Sequence, residues 1–125
     1  MSNVAALAID EPVRVDARRV DDIVCELGEL AARNVIGLAL EQMALTLHML
    51  DTAQRDGELT QIVTQADRLA QLAWQVGLVS LSGIAIDAGE CVRQGNHAAL
   101  AAVLARLMRV GNRSLTEIWE VRPWD

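Results

Sequence analysis

The sequence contains no lysine, phenylalanine or tyrosine, and it has two cysteines, two prolines and three tryptophans in 125 residues. Each scarcity excludes something. The core cannot rest on stacked aromatics, although 52% of the residues are hydrophobic, so it must be assembled from Leu, Ala, Val, Ile and Met. Ala and Leu head the helix-propensity scale, which points to close-packed helices. No stretch alternates polar and apolar residues between tight turns, as a half-buried strand would. All 11 cations are Arg and the formal net charge is −6, a poor match for nucleic-acid phosphates. Cys25 and Cys91 stand far apart among apolar neighbours. That spacing suits neither a zinc site nor a disulfide framework, and two buried free thiols are expected. The most apolar run, from Val35 to Leu50, is broken by Glu41, Gln42 and His48 and is too short to cross a bilayer. The first residues lack a basic segment followed by an apolar one, so no secretory signal and a cytoplasmic location are expected.

Hydrophobic periodicity predicts helices and little else. Residues 1–15 read as a flexible lead-in carrying Pro12, and residues 16–122 as a single helical domain. Asp16 is placed to cap a first helix on which Val20, Ile23, Val24, Leu27, Leu30 and Ala31 recur at helical spacing, to about Arg33. Asn34 either divides this helix from the next, over 35–54, or lies inside one long rod. The 35–54 segment is apolar on most sides. That predicts a helix central in its own bundle or one buried against a second subunit. Arg55-Asp56-Gly57 forms a turn before a helix over 58–76, closed by Gly77. Ser80 is expected to cap a helix over 81–94, and Asn96 one over 97–120 that Gly111-Asn112 weakens in its middle. Short connections make consecutive helices antiparallel neighbours. The expected fold class is therefore all-α: an antiparallel up-and-down four-helix bundle with an additional N-terminal helix. Trp119 and Trp124 are expected to fix the C-terminal end against it.

The stretch QADRLAQLAWQVGLVSLSGIAIDAGECVRQGNHAAL, with the Ala-Leu-rich helix after it, resembles the histidine phosphotransfer domains of phosphorelays. Ala66 precedes the acceptor position, Leu69 and Gly77 hold theirs, Leu81 and Ala85 fall where the following helix wants them, and no gap is needed. The resemblance implies a four-helix phosphocarrier fold and, as partners, a response-regulator receiver domain or a histidine kinase. It fails at the chemistry. Asp67 stands at the histidine position, Ala70 at the lysine position and Gln71 at the glycine position. A phosphocarrier needs an imidazole as nucleophile near neutral pH, a cation for the phosphate and room beside it. A chain without lysine supplies no substitute ammonium. Phosphorylation of Asp67 itself would need the acidic metal pocket and lysine of a receiver, which a lone carboxylate beside Arg68 lacks.

A second resemblance lies in VRVDARRVDDIVCELGEL, residues 13–30, which is similar to the start of the dimerisation segment of chemotaxis-type histidine kinases. Val15, Asp16, Val20, Asp21, Ile23, Val24 and Gly28-Glu29-Leu30 fall in its register. It implies a homodimer through the first two helices. No ATP-binding kinase sequence follows it, so no kinase is expected.

Several functional readings result. The first is a non-catalytic module that binds a receiver or kinase without carrying phosphate, through Thr64, Asp67, Arg68, Gln71, Trp74 and Gln75 on one side of the 58–76 helix. Asp67 is either a solvated residue paired with Arg68 or an Arg of another helix, or the mark of that docking face. Trp74 is either an interface anchor or a ring tucked against a neighbouring helix. The alternative is a homodimeric structural protein. A third reading makes His48 a substitute phospho-acceptor, against the simpler expectation of a bundle histidine with a hydrogen-bond partner. His97 falls in the first turn of the last helix. Glu26, Glu29, Asp87 and Glu90 have helix-surface spacing without His partners, so neither a metal nor another cofactor is expected.

Overall fold

The structure, a computed structural model, describes residues 11–125. These residues form five α-helices and a terminal 3₁₀ turn, with no strand among them: α1 (Ala17–Leu27), α2 (Glu29–Asp56), α3 (Leu59–Gln75), α4 (Val79–Arg93), α5 (His97–Glu117) and the turn Ile118–Glu120. Helix α2 packs on α3 and α5, α3 on α4, and α4 on α5, which closes a four-helix bundle. Helix α1 lies outside it against α2. This is the all-α architecture expected from the periodicity. Ile36, Met43 and Leu50 of α2, Ile62 and Leu69 of α3, Leu81 of α4 and Leu104 and Leu107 of α5 fill the centre. Side chains of this aliphatic kind interdigitate without aromatic partners.

The first helical segment divides at Gly28, not at Asn34. Gly28 has φ +83° and ψ 161°, a conformation open at low cost to glycine alone, whereas Asn34 lies inside α2. Asp16 caps α1 as expected, its carboxylate accepting from the N–H groups of Arg18 and Arg19. The start of α1 is also tied to the α3–α4 turn. The Asp16 N–H donates to the Gly77 carbonyl at 2.7 Å, and Arg19 Nε to the Gln75 carbonyl at 2.9 Å. Gly77 has φ +85°, and a Cβ there would lie 2.9 Å from the Asp16 carbonyl oxygen.

Several sequence expectations are corrected. Ser80 does not cap α4, whose cap residue is Leu78; its hydroxyl instead accepts from the Arg14 N–H at 2.8 Å. Residues 11–16 thus run alongside the α3–α4 turn, and Glu11 pairs with Arg106 of α5. Residues 1–10 of the expected lead-in lie outside the described residues. Helix α5 continues through Gly111, because the glycine lets α2 approach: a Cβ would meet Leu47 Cδ1 at 2.9 Å. The cysteines are not both buried. Cys25 faces solvent from the outer side of α1, and Cys91 is half-buried. Helix α2 is not central either, because Val35, Leu38, Leu45 and Met49 are 41–59% exposed along one flank.

At the other end, Trp119 and Trp124 meet edge to face, with centroids 5.5 Å apart. Trp124 Nε1 donates to the Trp119 carbonyl at 3.1 Å, and the Arg33 and Arg122 guanidinium groups lie over the Trp124 ring. The two tryptophans therefore hold the C-terminal end on the start of α2.

Candidate functional site

Helix α3 buries Ile62, Gln65, Ala66, Leu69, Ala70 and Ala73, and this fixes which side chains remain outside. Residues at spacings of three, four and seven share a face. Thr64, Asp67, Arg68, Gln71, Trp74 and Gln75 are accordingly all exposed, on the side that the sequence singled out. Trp74 is 67% exposed, which removes the reading of a tucked ring.

Asp67 is not a lone carboxylate. Arg93, in the last turn of α4, donates through Nη2 to Asp67 Oδ2 at 2.8 Å and Oδ1 at 3.1 Å, and through Nη1 to Glu90 Oε1 at 3.3 Å. The Asp67 carboxylate, hydrogen-bonded and close, holds the Arg93 guanidinium above its ordinary pKa. Both side chains are about half exposed, so the pair is solvent-screened. Beneath it sits Gly89 of α4. A Cβ at that position would stand 3.0 Å from Arg93 Nη1 and 3.4 Å from Asp67 Oδ1. The missing side chain leaves room for the clasp between helices.

Beyond the clasp the α3–α4 surface turns apolar. A shallow groove of about 470 Å³ is lined by Asp67, Ala70, Gln71, Trp74, Ser82 and Ile86. Ile86 is 51% exposed, and the Ser82 hydroxyl is turned inward to donate to the Ala70 carbonyl at 3.1 Å. The groove thus has two large apolar walls, an amide, and a carboxylate already paired with Arg93. A phosphoryl dianion would find no free ammonium and no imidazole there. An apolar partner side chain would find contact area.

The sequence reading missed Arg93, Ser82 and Ile86. Arg93 falls inside the stretch that carries the phosphotransfer resemblance, at a position to which the resemblance gives no role. The signal that could have found it is geometric: the end of α4 returns beside the middle of α3 in any antiparallel hairpin of this length. Ile86 lies one residue after Ala85 and five after Leu81, which places it off the buried face.

His48 is not an interior histidine. It is exposed on α2, in a shallow groove shared with Met49, Thr52, Ala53, Asp56, Glu58 and Gln61. That groove holds two carboxylates and no guanidinium, a setting that opposes a phosphoryl group. It is separate from the α3–α4 groove and brings no second histidine. His97 is exposed at the start of α5. Among the described residues no three His, Cys, Asp or Glu side chains gather as a metal site would require. Nor is any of their helices long and apolar enough to cross a membrane.

No family model matches the sequence, and no curated protein matches it. Among solved structures, the bundle is similar to the crystal structure of histidine-containing phosphotransfer protein B from Pseudomonas aeruginosa PAO1. The TM-score is 0.77 over 85% of this chain and 91% of that one, at 17% sequence identity. The likeness resides in the architecture. In fold, then, this chain is a histidine phosphotransfer bundle.

Proposed function

We propose that the protein is a non-catalytic phosphotransfer-like module that binds a receiver domain or a histidine kinase through the exposed face of α3 and carries no phosphate. The observation that carries this reading is Trp74, two-thirds exposed beside Ile86 at the rim of an apolar groove. The groove occupies the positions where the phosphocarriers have lysine and glycine. A large exposed aromatic next to an aliphatic side chain is a costly surface feature for an isolated domain and a good anchor for a partner. Asp67 contributes a fixed charge already clasped by Arg93, a poor copy of a phosphoryl group, so recognition rests on contact area and not on phosphate chemistry. The fold supports a place in two-component signalling, and the missing imidazole, ammonium and glycine oppose phosphoryl transfer at position 67.

The test is titration of receiver domains and kinase dimerisation domains against the protein, with α3 amide shifts as the readout. Saturable shifts centred on Gln71–Gln75, abolished by Trp74→Ala, support the reading. Shifts confined to other helices, or binding indifferent to Trp74→Ala, contradict it.

The exposed flank of α2 favours a second and compatible reading, self-association, which uses a different face of the molecule. Phosphorylation of His48 has little support, given the carboxylates that share its groove.

A further inference from the structure

The flank of α2 left outside the bundle is ordered. Val35, Leu38, Gln42, Leu45 and Met49 follow one another at spacings of three, four, three and four, and every one is exposed. Leu38 and Leu45 are each 59% exposed, Val35 45% and Met49 41%. This is the heptad spacing of a helix–helix seam, carried by a 28-residue helix and left uncovered by the described residues. Stripes of large apolar side chains on a soluble helix are normally covered.

The side chains beside the stripe say what covers it. An apolar stripe on one helix can pack on the same stripe of a second copy when a two-fold rotation reverses the helix. One flank of the stripe carries Glu41 and His48, seven residues apart and both exposed. The opposite flank, at Ala39 and Thr46, turns towards the chain's own bundle. When two copies of α2 run antiparallel about an axis between Gln42 and Leu45, Leu38 faces the partner's Met49. Glu41 then faces the partner's His48, twice by symmetry. A carboxylate accepts from an imidazole N–H there, and the helix dipoles also oppose. A parallel pair would set Glu41 against the partner's Thr46, which is buried in its own bundle.

We propose that the protein is a homodimer joined by an antiparallel α2–α2 seam centred between Gln42 and Leu45, with Glu41 paired to His48 across the two-fold axis. The proposal deepens the self-association reading and is independent of receiver binding, since no α3 site residue lies in the stripe.

The test is sedimentation equilibrium of the full chain at tens of micromolar, with circular dichroism to confirm that each variant is folded. The wild type is expected to be a dimer. The Leu38→Glu/Leu45→Glu double variant, altered only at exposed positions, is expected to be a folded monomer. His48→Glu sets like charges opposite each other twice and is expected to weaken the dimer about fivefold or more, while Glu41→Arg/His48→Glu restores it. A monomeric wild type, or a dimer untouched by the leucine substitutions, overturns the seam. A dimer lost with the leucines but equal in His48→Glu and in the charge-exchanged variant overturns the antiparallel register. In each of these cases receiver binding through Trp74 stands or falls by its own titration.

Discussion

The Arg93 guanidinium grips the Asp67 carboxylate from the facing helix, at 2.8 Å and 3.1 Å, over the space left by Gly89. At the position that the sequence resemblance aligns with a phosphocarrier's histidine, this protein therefore presents a closed ion pair. The clasp is exposed and solvent-screened, so its net contribution is small. Arg93→Ala is expected to shift the urea midpoint only slightly, and by less in high salt. Urea denaturation at low and high ionic strength measures it. A large loss of stability, insensitive to salt, would mean that the clasp is structural and not a surface feature.

Trp74→Ala should separate binding from folding. The ring is mostly in solvent, so the unfolding free energy should change by less than about 0.5 kcal/mol. Partner affinity should fall by about 2 kcal/mol or more, as for an interface anchor. Calorimetric titration beside thermal unfolding gives both numbers. A large loss of stability with unchanged affinity would place Trp74 in the fold and not in the site.

Gly77→Ala should be severe. The backbone there has φ +85°, and the added Cβ would press on the Asp16 carbonyl oxygen at 2.9 Å, a backbone atom that cannot swing aside. The expected cost is about 2–3 kcal/mol, with the start of α1 detached from the α3–α4 turn. Chemical denaturation gives the cost, and hydrogen exchange in residues 16–20 reports the detachment.

Glu11 makes the attachment of the N-terminal strap sensitive to acid. A hydrogen bond from Arg106, with the nearby Arg109 and Arg113 charges, holds its carboxyl below the ordinary 4.5 against a smaller opposing effect of burial. A carboxylate with a lowered folded pKa stabilises the native state above its ordinary value, and that contribution disappears as pH falls through the folded value. Wild type should therefore be more stable than Glu11→Gln at neutral pH, and the difference should shrink as the pH is taken below 4.5. Urea midpoints of the two proteins across that range test the sign. A gap that widened on acidification would contradict it.

Helix positions, the cap at Asp16 and the exposed face of α3 were legible in the sequence, because periodicity and capping are local. The division at Gly28 was not. Asn34 and Gly28 are both helix-ending types, and only the backbone angle at Gly28 distinguishes them. Likewise the apolar face of α2 could not show which side would be buried. Leu47 and Leu45 look alike in sequence, yet one packs against Gly111 and the other meets solvent. Ser80 looked like a cap because its tertiary partner, Arg14, lies 66 residues away. Arg93 was invisible for the same reason: its partner belongs to another helix.

Binding without phosphate transfer is what defines the proposed module. It is tested most directly by incubating the protein with a phosphorylated receiver domain that it binds, then following both the complex and the label. The expected result is a saturable complex, weakened by Trp74→Ala, with no phosphoryl group on the protein. Acid-labile label on the wild-type chain lost in His48→Ala, or hydroxylamine-labile label lost in Asp67→Asn, would contradict it.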